Sequence, residues 1–175
     1  MRIIAGSRKG HKIDAPPGRR TRPTSDRVRE NVFNLLQQWV EGATVLDLFA
    51  GSGAMGMEAL SRGAERAVFV EADPQACRVI DRNLEKLRLT GARVYQSDVA
   101  RFLATERGSY DLIFCDPPYD EYAALEPTLA RYLPRLGVEG GLVVLETAAK
   151  TEPQLPLTER TSRRYGAARI TLFEA

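Results

Sequence analysis

Apolar residues recur along this chain in short runs that alternate with segments of helical spacing. The runs predict five buried strands, at residues 44–49, 66–71, 92–96, 110–115 and 141–146. Helical spacing predicts helices between them, from the glycines near 53 to about 62, from 74 to about 89, at 99–106 and at 122–136. A helix at 26–41 precedes the first strand and ends at Gly42. Strands that alternate with helices indicate a parallel sheet covered by helices on both faces.

The two ends of the chain depart from this alternation. Residues 158–165 and 169–173 predict two more strands, and the few residues between them favour an antiparallel hairpin. Near the start, residues 2–5 and 11–15 predict a small hairpin around a turn at 7–10. We therefore predict an α/β fold with a Rossmann-like, mostly parallel, seven-stranded sheet and an antiparallel C-terminal hairpin. The predicted division is a basic N-terminal hairpin or arm at 1–20 and one domain at 21–175.

Length and composition narrow the class of protein. The 175 residues fit one domain, 43% of them are hydrophobic and 27% are charged. No apolar run approaches the ~20 residues that cross a bilayer, and the first residues lack the apolar core of a signal peptide. We expect a cytoplasmic monomer away from membranes. Two cysteines, Cys77 and Cys115, and one histidine, His11, disfavour a zinc site and histidine-based catalysis, so we expect no metal.

Positive charge is concentrated at the N-terminus although the net charge of the whole chain is only +2. Nine basic residues precede Glu30 and only two acids, Asp14 and Asp26, oppose them, so this segment carries about +7 and the remainder about −5. The basic residues are Arg2, Arg8, Lys9, Lys12, Arg19, Arg20, Arg22, Arg27 and Arg29. A cationic segment on a mildly acidic body suggests a polyanionic partner.

A glycine-rich segment follows the first predicted strand. Gly51, Gly53 and Gly56 form the pattern G-x-G-x-x-G between a strand and a helix, and Glu71 ends the next strand twenty residues after Gly51. Glycines let the backbone approach a ligand closely, and the acid can accept hydrogen bonds from ribose hydroxyls. The pattern indicates a cofactor that contains adenosine, which leaves nicotinamide cofactors and S-adenosylmethionine as alternatives.

Two further acids favour S-adenosylmethionine. Asp47 lies in the strand end, four residues before Gly51, where it would repel a pyrophosphate and attract the ammonium group of S-adenosylmethionine. Asp98 ends the third strand, where it can meet an adenine amino group. The predicted cofactor-binding residues are Asp47, Phe49, Gly51, Gly53, Glu71, Asp98 and Val99.

The tetrapeptide Asp116-Pro-Pro-Tyr119 ends the fourth strand and carries the most specific chemistry. Its two prolines fix the backbone and remove two N–H donors, which leaves a carboxylate, backbone carbonyls and an aromatic ring. An exocyclic amine of a base is a poor nucleophile because its lone pair is delocalised into the ring. Acceptance of both its hydrogens by Asp116 and the Pro117 carbonyl would localise that lone pair, while Tyr119 stacks on the base. Asp116, Pro117 and Tyr119 are the predicted catalytic residues.

These motifs resemble those of a known family. Asp47–Gly53 (DLFAGSG), Glu71, Ser97–Asp98 and Asp116–Tyr119 (DPPY) are similar to the amino-directed class I methyltransferases. The opening MRIIAGSRKGHKI and Arg22–Leu36 (RPTSDRVRENVFNLL) narrow the resemblance to the RsmD family of bacterial 16S rRNA guanine-N2 methyltransferases. The resemblance spans essentially the whole chain. It implies methyl transfer to N2 of one guanine in 16S rRNA, on an assembling small ribosomal subunit. Family members carry Phe or Tyr at the last motif position.

We therefore expect the basic N-terminus and surface loops to recognise the RNA, since the segment between Gly53 and Asp116 is too short to contain a recognition domain. The predicted RNA-binding residues are Arg8, Lys9, Lys12, Arg19, Arg20 and Arg22. The sequence leaves three roles open for a further group of residues: contact with RNA, closure over the cofactor's carboxylate, or stabilisation of the helix start. These residues are Arg22, Thr24, Arg27 and Arg29. Rival functions are a DNA adenine-N6 methyltransferase, a nicotinamide-dependent oxidoreductase and a non-enzymatic RNA-binding module.

Overall fold

The computed structural model of the chain describes residues 1–17 and 26–175. The described residues form a seven-stranded sheet in the order β3-β2-β1-β4-β5-β7-β6. The strands are β1 Thr44–Leu48, β2 Arg66–Glu71, β3 Ala92–Gln96, β4 Tyr110–Cys115, β5 Gly137–Ala148, β6 Thr158–Tyr165 and β7 Ala168–Glu174. β3, β2, β1, β4 and β5 are parallel to one another, whereas β7 pairs antiparallel with both β5 and β6. The predicted α/β class, parallel sheet and antiparallel C-terminal hairpin are confirmed.

Helices cover both faces of the sheet and create two cores. They are α1 Asp26–Leu35, α2 Gln37–Val40, α3 Ala54–Ser61, α4 Pro74–Leu87, α5 Val99–Thr105 and α6 Tyr122–Leu136. One core contains residues of four helices, α1, α2, α3 and α4, and of the N-terminal segment. The other core contains residues of α5 and α6. Alternate residues of a strand point to opposite faces, so Phe114 packs in the first core while Ile113 and Cys115 pack in the second. Cys77 and Cys115 are both free and buried.

The predicted helix at 26–41 is interrupted at Leu36. α1 ends at Leu35, and Leu36 adopts φ −96° and ψ 4° before the single turn of α2 begins. Val32, Phe33 and Leu36 remain buried along one face, so the apolar spacing identified the packing face correctly although the helix is not continuous. Gly42, at φ +72°, follows α2 as predicted.

The N-terminal segment is docked onto the body of the domain. Residues 2 and 12 form an antiparallel bridge, as the predicted hairpin requires, but a short 3-10 helix at Gly6–Arg8 occupies the turn. Ile3 and Ile13 are buried in the first core. Glu58 of α3, itself fully buried, accepts hydrogen bonds from the Ile4 and Ala5 N–H groups at 2.8 and 3.0 Å. These contacts fix the described part of the segment against α3.

Close packing makes Gly6 indispensable to this docking. A Cβ atom at Gly6 would lie 1.8 Å from the Ser61 carbonyl oxygen, and the residue has φ +80°. Ser61 also donates its hydroxyl to the Ala5 carbonyl at 2.6 Å and accepts the Arg8 N–H at 3.0 Å. The glycine therefore lets the basic segment lie directly on the C-terminal turn of α3.

Candidate functional site

The order of the strands creates a crevice between β1 and β4. The chain runs from β1 outward to β3 and then returns to place β4 on the other side of β1, so the connections on the two sides diverge. Ligands of open parallel sheets bind at such a point, beyond the carboxyl ends of the strands. Leu48 and Cys115 are register partners at the ends of β1 and β4. The predicted glycine loop and the predicted catalytic tetrapeptide therefore begin side by side.

The loop after β1 has an unusual backbone. Phe49 has φ +58° although it carries a side chain, and Gly51 and Gly53 have φ +59° and +78°. A bulky residue in the left-handed region costs energy and is typical of functional sites that the surrounding fold constrains. At Gly53 a Cβ atom would also meet the Met57 side chain at 2.8 Å. Gly53 lets the chain turn directly into α3, whose first residue follows it.

Glu71 holds this loop from the neighbouring strand. One carboxylate oxygen accepts the Gly51 N–H at 2.8 Å, and the other accepts the Asp73 N–H at 2.9 Å. The side chain is 2% exposed. Glu71 thus lies against the glycine loop and has a structural role there that the motif alone did not indicate. Its predicted contact with ribose hydroxyls stays a prediction.

Asp47 is buried beneath the start of α3. Its carboxylate accepts the Gly56 N–H at 2.9 Å, where the partial positive charge of a helix N-terminus favours an anion. Burial nevertheless raises the pKa of Asp47 to about 7; the bond from Gly56 opposes this rise, and the charge of Glu71 adds to it. Asp47 therefore changes its charge near neutral pH.

Asp98 and Val99 lie at the junction between β3 and α5. The Asp98 carboxylate caps α5 by accepting the Arg101 N–H at 3.0 Å, and the residue is exposed at the same edge of the sheet. The Val99 side chain is buried in the core that α5 and α6 share. Of the two predicted cofactor-binding residues, Asp98 presents its side chain at the edge, whereas Val99 contributes its side chain to packing.

The Asp116–Tyr119 tetrapeptide turns away from the end of β4. Asp116 is exposed and Pro117 is buried, which anchors the turn in the sheet edge. The Pro118 carbonyl accepts the Glu121 N–H at 3.0 Å and is therefore committed to the turn. Among the described residues, no hydrogen bond is formed to the Pro117 carbonyl. An acceptor thus remains next to the Asp116 carboxylate, as the sequence argument requires.

Tyr119 is held by an acid that the motif analysis missed. Its hydroxyl donates to a Glu146 carboxylate oxygen at 2.7 Å, and its side chain is 42% exposed. Glu146 lies in β5, one residue after Leu145, the register partner of Cys115. The sequence marked residues 141–146 only as a buried strand. The sequence did contain one signal for Glu146: the apolar run of this strand ends on an acid, at the carboxyl end of the strand.

Comparison with known proteins places these motifs in a family. Residues 1–174 match the family model described as "Conserved hypothetical protein 95". The protein "Putative rRNA methyltransferase YlbH" of Bacillus subtilis (strain 168) is 42% identical over 99% of this chain and 98% of its own length. "Ribosomal RNA small subunit methyltransferase D" of Escherichia coli (strain K12) is 43% identical over 68% of this chain and 60% of its own length.

The chain belongs to the RsmD family. The solved structure called "Putative methyltransferase yhhF" from Escherichia coli superimposes with a TM-score of 0.89 at 35% identity, covering 99% of this chain and 97% of that one. A structure of "SMU.776, a putative methyltransferase complexed with SAH" has a TM-score of 0.72 at 19% identity over 84% of this chain and 49% of its own, which supports the fold alone. The class I methyltransferase fold is confirmed.

The six predicted RNA-binding residues of this RsmD-family chain fall into three groups. Lys9 and Lys12 are exposed on the docked N-terminal segment. Arg8 is partly buried, and its guanidinium donates to the Leu87 and Arg88 carbonyls at the C-terminus of α4. The predicted RNA-binding residues Arg19, Arg20 and Arg22, together with Thr24, lie outside the described residues.

Arg27 and Arg29 are the two described residues among those whose role the sequence left open, and Arg29 is the buried one. It is fully buried, donates to the Asp26 carboxylate at 3.0 Å and to the Arg2 carbonyl, and lies 3.7 Å from Glu58. Arg29 therefore joins α1 to α3 and the N-terminal segment, while Arg27 beside it is exposed. Of the three alternatives, Arg29 holds the fold.

Neither a metal cluster nor a membrane-spanning helix occurs in the part of the chain that the structure describes. Among residues 1–17 and 26–175, no three His, Cys, Asp or Glu side chains are grouped to hold a metal ion. Over the same residues, no helix is both long and apolar enough to cross a membrane.

Proposed function

We propose that this chain transfers a methyl group from S-adenosylmethionine to the exocyclic N2 of a guanine in 16S rRNA, on an assembling small ribosomal subunit. Support comes from membership of the RsmD family and from the Escherichia coli relative, which is named a ribosomal RNA small subunit methyltransferase. The chain spans 60% of that relative's length, and the aligned part contains 68% of this chain.

One observation carries the proposal, namely the adjacency of an acceptor-rich turn and a glycine loop at the crevice between β1 and β4. The turn offers the Asp116 carboxylate, the Pro117 carbonyl and the Tyr119 ring. The loop offers glycines at positive φ above a helix N-terminus. A nicotinamide oxidoreductase would bind its cofactor at the glycine loop, but its reaction would not require the acceptor-rich turn.

The residues of the glycine loop and its neighbours fit S-adenosylmethionine. Glu71 and Asp98 would hold ribose and adenine, and Gly51 and Gly53 would let the backbone approach. In its ionised form, Asp47 supplies negative charge beneath the loop for a cofactor that carries an ammonium and a sulfonium group. When bound, this cofactor supplies a methyl group already activated for nucleophilic attack, so the chain needs no strong base.

The chain's own contribution is to align and activate the amine. Asp116 and the Pro117 carbonyl each accept one N2 hydrogen, which bends the nitrogen towards tetrahedral geometry and localises its lone pair. Tyr119 stacks on the base, a contact worth roughly 1–3 kcal/mol. The guanine has to leave its stack to reach this turn. The nitrogen would take the methyl group as the methyl–sulfur bond of the sulfonium breaks and leaves its electron pair on sulfur. The nitrogen then releases a proton, which Asp116 accepts and passes to solvent from its exposed position. Most of the rate enhancement then comes from orientation.

Substitution of Asp116 separates catalysis from cofactor binding. With small subunits from cells that lack the corresponding gene, labelled methyl transfer should fall at least 100-fold in Asp116→Ala, because the charge-assisted bond to N2 is lost. The dissociation constant of S-adenosylmethionine, measured by calorimetry, should change less than threefold. Loss of cofactor binding in this variant would assign Asp116 to the cofactor site, and unchanged transfer would remove it from the reaction.

A further inference from the structure

Two carboxylates flank the proposed base-binding position on neighbouring strands. Cys115 of β4 and Leu145 of β5 are register partners, and Asp116 and Glu146 each follow by one residue. Neighbouring strands lie about 4.8 Å apart, so the two acids are close at the carboxyl edge. Leu145 packs in the core of α5 and α6, so Glu146 points to the opposite face. The 2.7 Å bond from the Tyr119 hydroxyl ties Glu146 to the tetrapeptide.

We propose that Glu146 selects guanine by accepting its N1–H; this inference rests on the proposed function. On the Watson–Crick edge of guanine, the N1–H donor lies directly beside the N2 amine. Adenine presents an N1 lone pair beside its N6 amine, so the same carboxylate would repel it. A site with Asp116 at the amine and Glu146 at N1 therefore distinguishes the two purines, although both carry an exocyclic amine.

The bond to Tyr119 prepares Glu146 for this role. A carboxylate offers two oxygens with about four lone-pair positions, so the same group can accept the tyrosine hydroxyl and a base N–H together. The hydroxyl also fixes the orientation of the carboxylate before the base arrives. Glu146 is half-buried, and a charge-assisted bond in such a position is stronger than one in open solvent. Loss of one such partner should change selectivity by roughly 10- to 100-fold.

2-Aminopurine is the probe that isolates this contact. It keeps the 2-amino group of guanine but has a bare, accepting N1. Small-subunit particles would be assembled with guanine or 2-aminopurine at the mapped methylation position, and kcat/KM would be measured for each. The wild type should prefer guanine at least 10-fold. Glu146→Gln should lose this preference or reverse it, because its amide can donate to the bare N1, and Glu146→Ala should lose it without a gain on 2-aminopurine.

Tyr119→Phe is the matched control. It removes the hydroxyl bond to Glu146 and keeps the stacking ring, so it should lower the rate on both substrates and keep the preference for guanine. If Glu146→Gln keeps that preference and behaves like Tyr119→Phe, Glu146 only positions Tyr119 and the inference is overturned. If the wild type methylates neither particle, the proposed function itself fails. Retained cofactor affinity in each variant identifies folded protein.

A separate row of residues points to the path of the RNA backbone. Glu146 of β5 and Arg163 of β6 are both register partners of Ile170 in β7, so the three lie in one line across the sheet. Direct cross-strand partners point to the same face. Because β7 lies between β5 and β6, Arg163 is two strands away from Glu146, a distance of about 10 Å between their backbones. Arg163 is exposed, and among the described residues its side chain forms neither an ion pair nor a hydrogen bond.

We infer that Arg163 binds a backbone phosphate near the methylated nucleotide. Its neighbour Arg164 is also exposed and points to the opposite face of the same strand, so it provides a matched control. Arg163→Ala should raise KM for small subunits at least fivefold with little change in kcat. It should also reduce the slope of log binding against log salt by about 0.7–0.9, the share of one phosphate.

Arg164→Ala should leave KM and the salt slope within error of the wild type. Equal effects of the two substitutions would show that the edge strand contributes only general positive charge, and this would overturn the assignment of Arg163. An unchanged KM in Arg163→Ala would overturn it as well. Cofactor affinity should be the same in both variants, because neither residue lies at the glycine loop.

Discussion

Between about pH 4 and 7, Asp47 keeps a proton in the folded protein that the unfolded chain releases, because its pKa is raised in the folded state. Its pKa rises from 3.8 to about 7, chiefly by burial. The stability that this protonated form contributes is fully present below about pH 4 and is lost as pH rises to about 7, at up to ~1.4 kcal/mol per pH unit. Chemical unfolding between pH 4 and 8 should show this decline in the wild type.

Asp47→Asn is the control for that decline, because it keeps an oxygen for the Gly56 N–H and does not titrate. Between pH 4 and 7 the wild type should lose stability relative to this variant. In the wild type the affinity for S-adenosylmethionine should also rise as pH increases towards 7, since ionised Asp47 attracts the cationic cofactor. A constant stability difference between the two proteins would contradict the buried, protonated state.

Gly53 has a positive φ and is closely packed. The effect of packing can be separated from the effect of the backbone conformation by comparison with a glycine that has positive φ alone. In Gly53→Ala the Cβ atom would meet Met57 at 2.8 Å and Ile80 at 3.3 Å at φ +78°. Affinity for S-adenosylmethionine should fall at least 10-fold, because the strain of Ala at a positive φ and its tight contact with the branched Ile80 side chain both fall on the glycine loop. Gly140→Ala is the control, since Gly140 has φ +76° and nothing within 4 Å. It should cost only about 1–2 kcal/mol of stability and leave affinity unchanged.

For individual residues, the sequence predicted the motifs of the site well, but it did not predict single side chains that contact those motifs from distant parts of the chain. Gly51, Gly53 and Asp116–Tyr119 lie together because carboxyl ends of adjacent parallel strands meet at one edge, which the alternation of strands and helices already implies. Glu146 was missed because its relation to Tyr119 depends on the register of β5 against β4. The role of Arg29 depends on three elements distant in sequence, and no spacing rule encodes it.

Helix α3 is the element that connects the N-terminal segment to the glycine loop. It begins at the residue after Gly53, and its buried Glu58 binds the Ile4 and Ala5 N–H groups. Arg29 and Arg62 place positive charge beside this carboxylate, at 3.7 and 2.7 Å. The basic segment is therefore held in a fixed position relative to the loop that the cofactor would occupy.

Removal of Arg29 should destabilise this arrangement strongly. Arg29→Ala leaves the fully buried Glu58 with one cationic neighbour fewer, and loss of one partner from a buried ion pair costs about 3–5 kcal/mol. Arg27→Ala, on the exposed face of the same helix, should change stability by less than about 0.5 kcal/mol. Denaturant unfolding measures both. Equal, small effects would mean that the buried network does not hold α1 in place.

Element boundaries were predicted best where a residue type marks them. Pro74 begins α4 and Gly42 follows α2 as expected. β5 was predicted from 141 but begins at Gly137, directly after α6, and its register against β4 shifts between Tyr110 and Leu112. The early residues of β5 alternate little in polarity, so this extension depends on pairing with β4 and not on local pattern.

Over the whole molecule, exposed positive charge is the quantity that governs attraction to RNA. Lys9→Ala with Lys12→Ala removes two exposed cations from the docked segment without disturbing Arg8, which binds the end of α4. Affinity for small subunits should fall, and the slope of log binding against log salt should flatten by about 1.4–1.8. Filter binding at several salt concentrations measures this slope.

Arg107→Ala with Arg131→Ala is the control of equal charge. Both residues are exposed, Arg107 between α5 and β4 and Arg131 in α6, whereas the N-terminal segment packs in the other core. This pair should leave the salt slope nearly unchanged. A similar flattening in both double variants would mean that total charge, and not the position of the N-terminal segment, determines binding.

The identity of the methylated nucleoside decides whether this chain methylates N2 of a guanine in 16S rRNA. Purified protein would be incubated with labelled S-adenosylmethionine and small subunits from cells that lack the gene, and the digested RNA would be analysed by chromatography and mass spectrometry. The arrangement of Asp116, Pro117 and Glu146 predicts that the label is recovered as N2-methylguanosine. Label in N6-methyladenosine would contradict the proposed base and the role of Glu146, and absence of label in any nucleoside would contradict RNA methylation altogether.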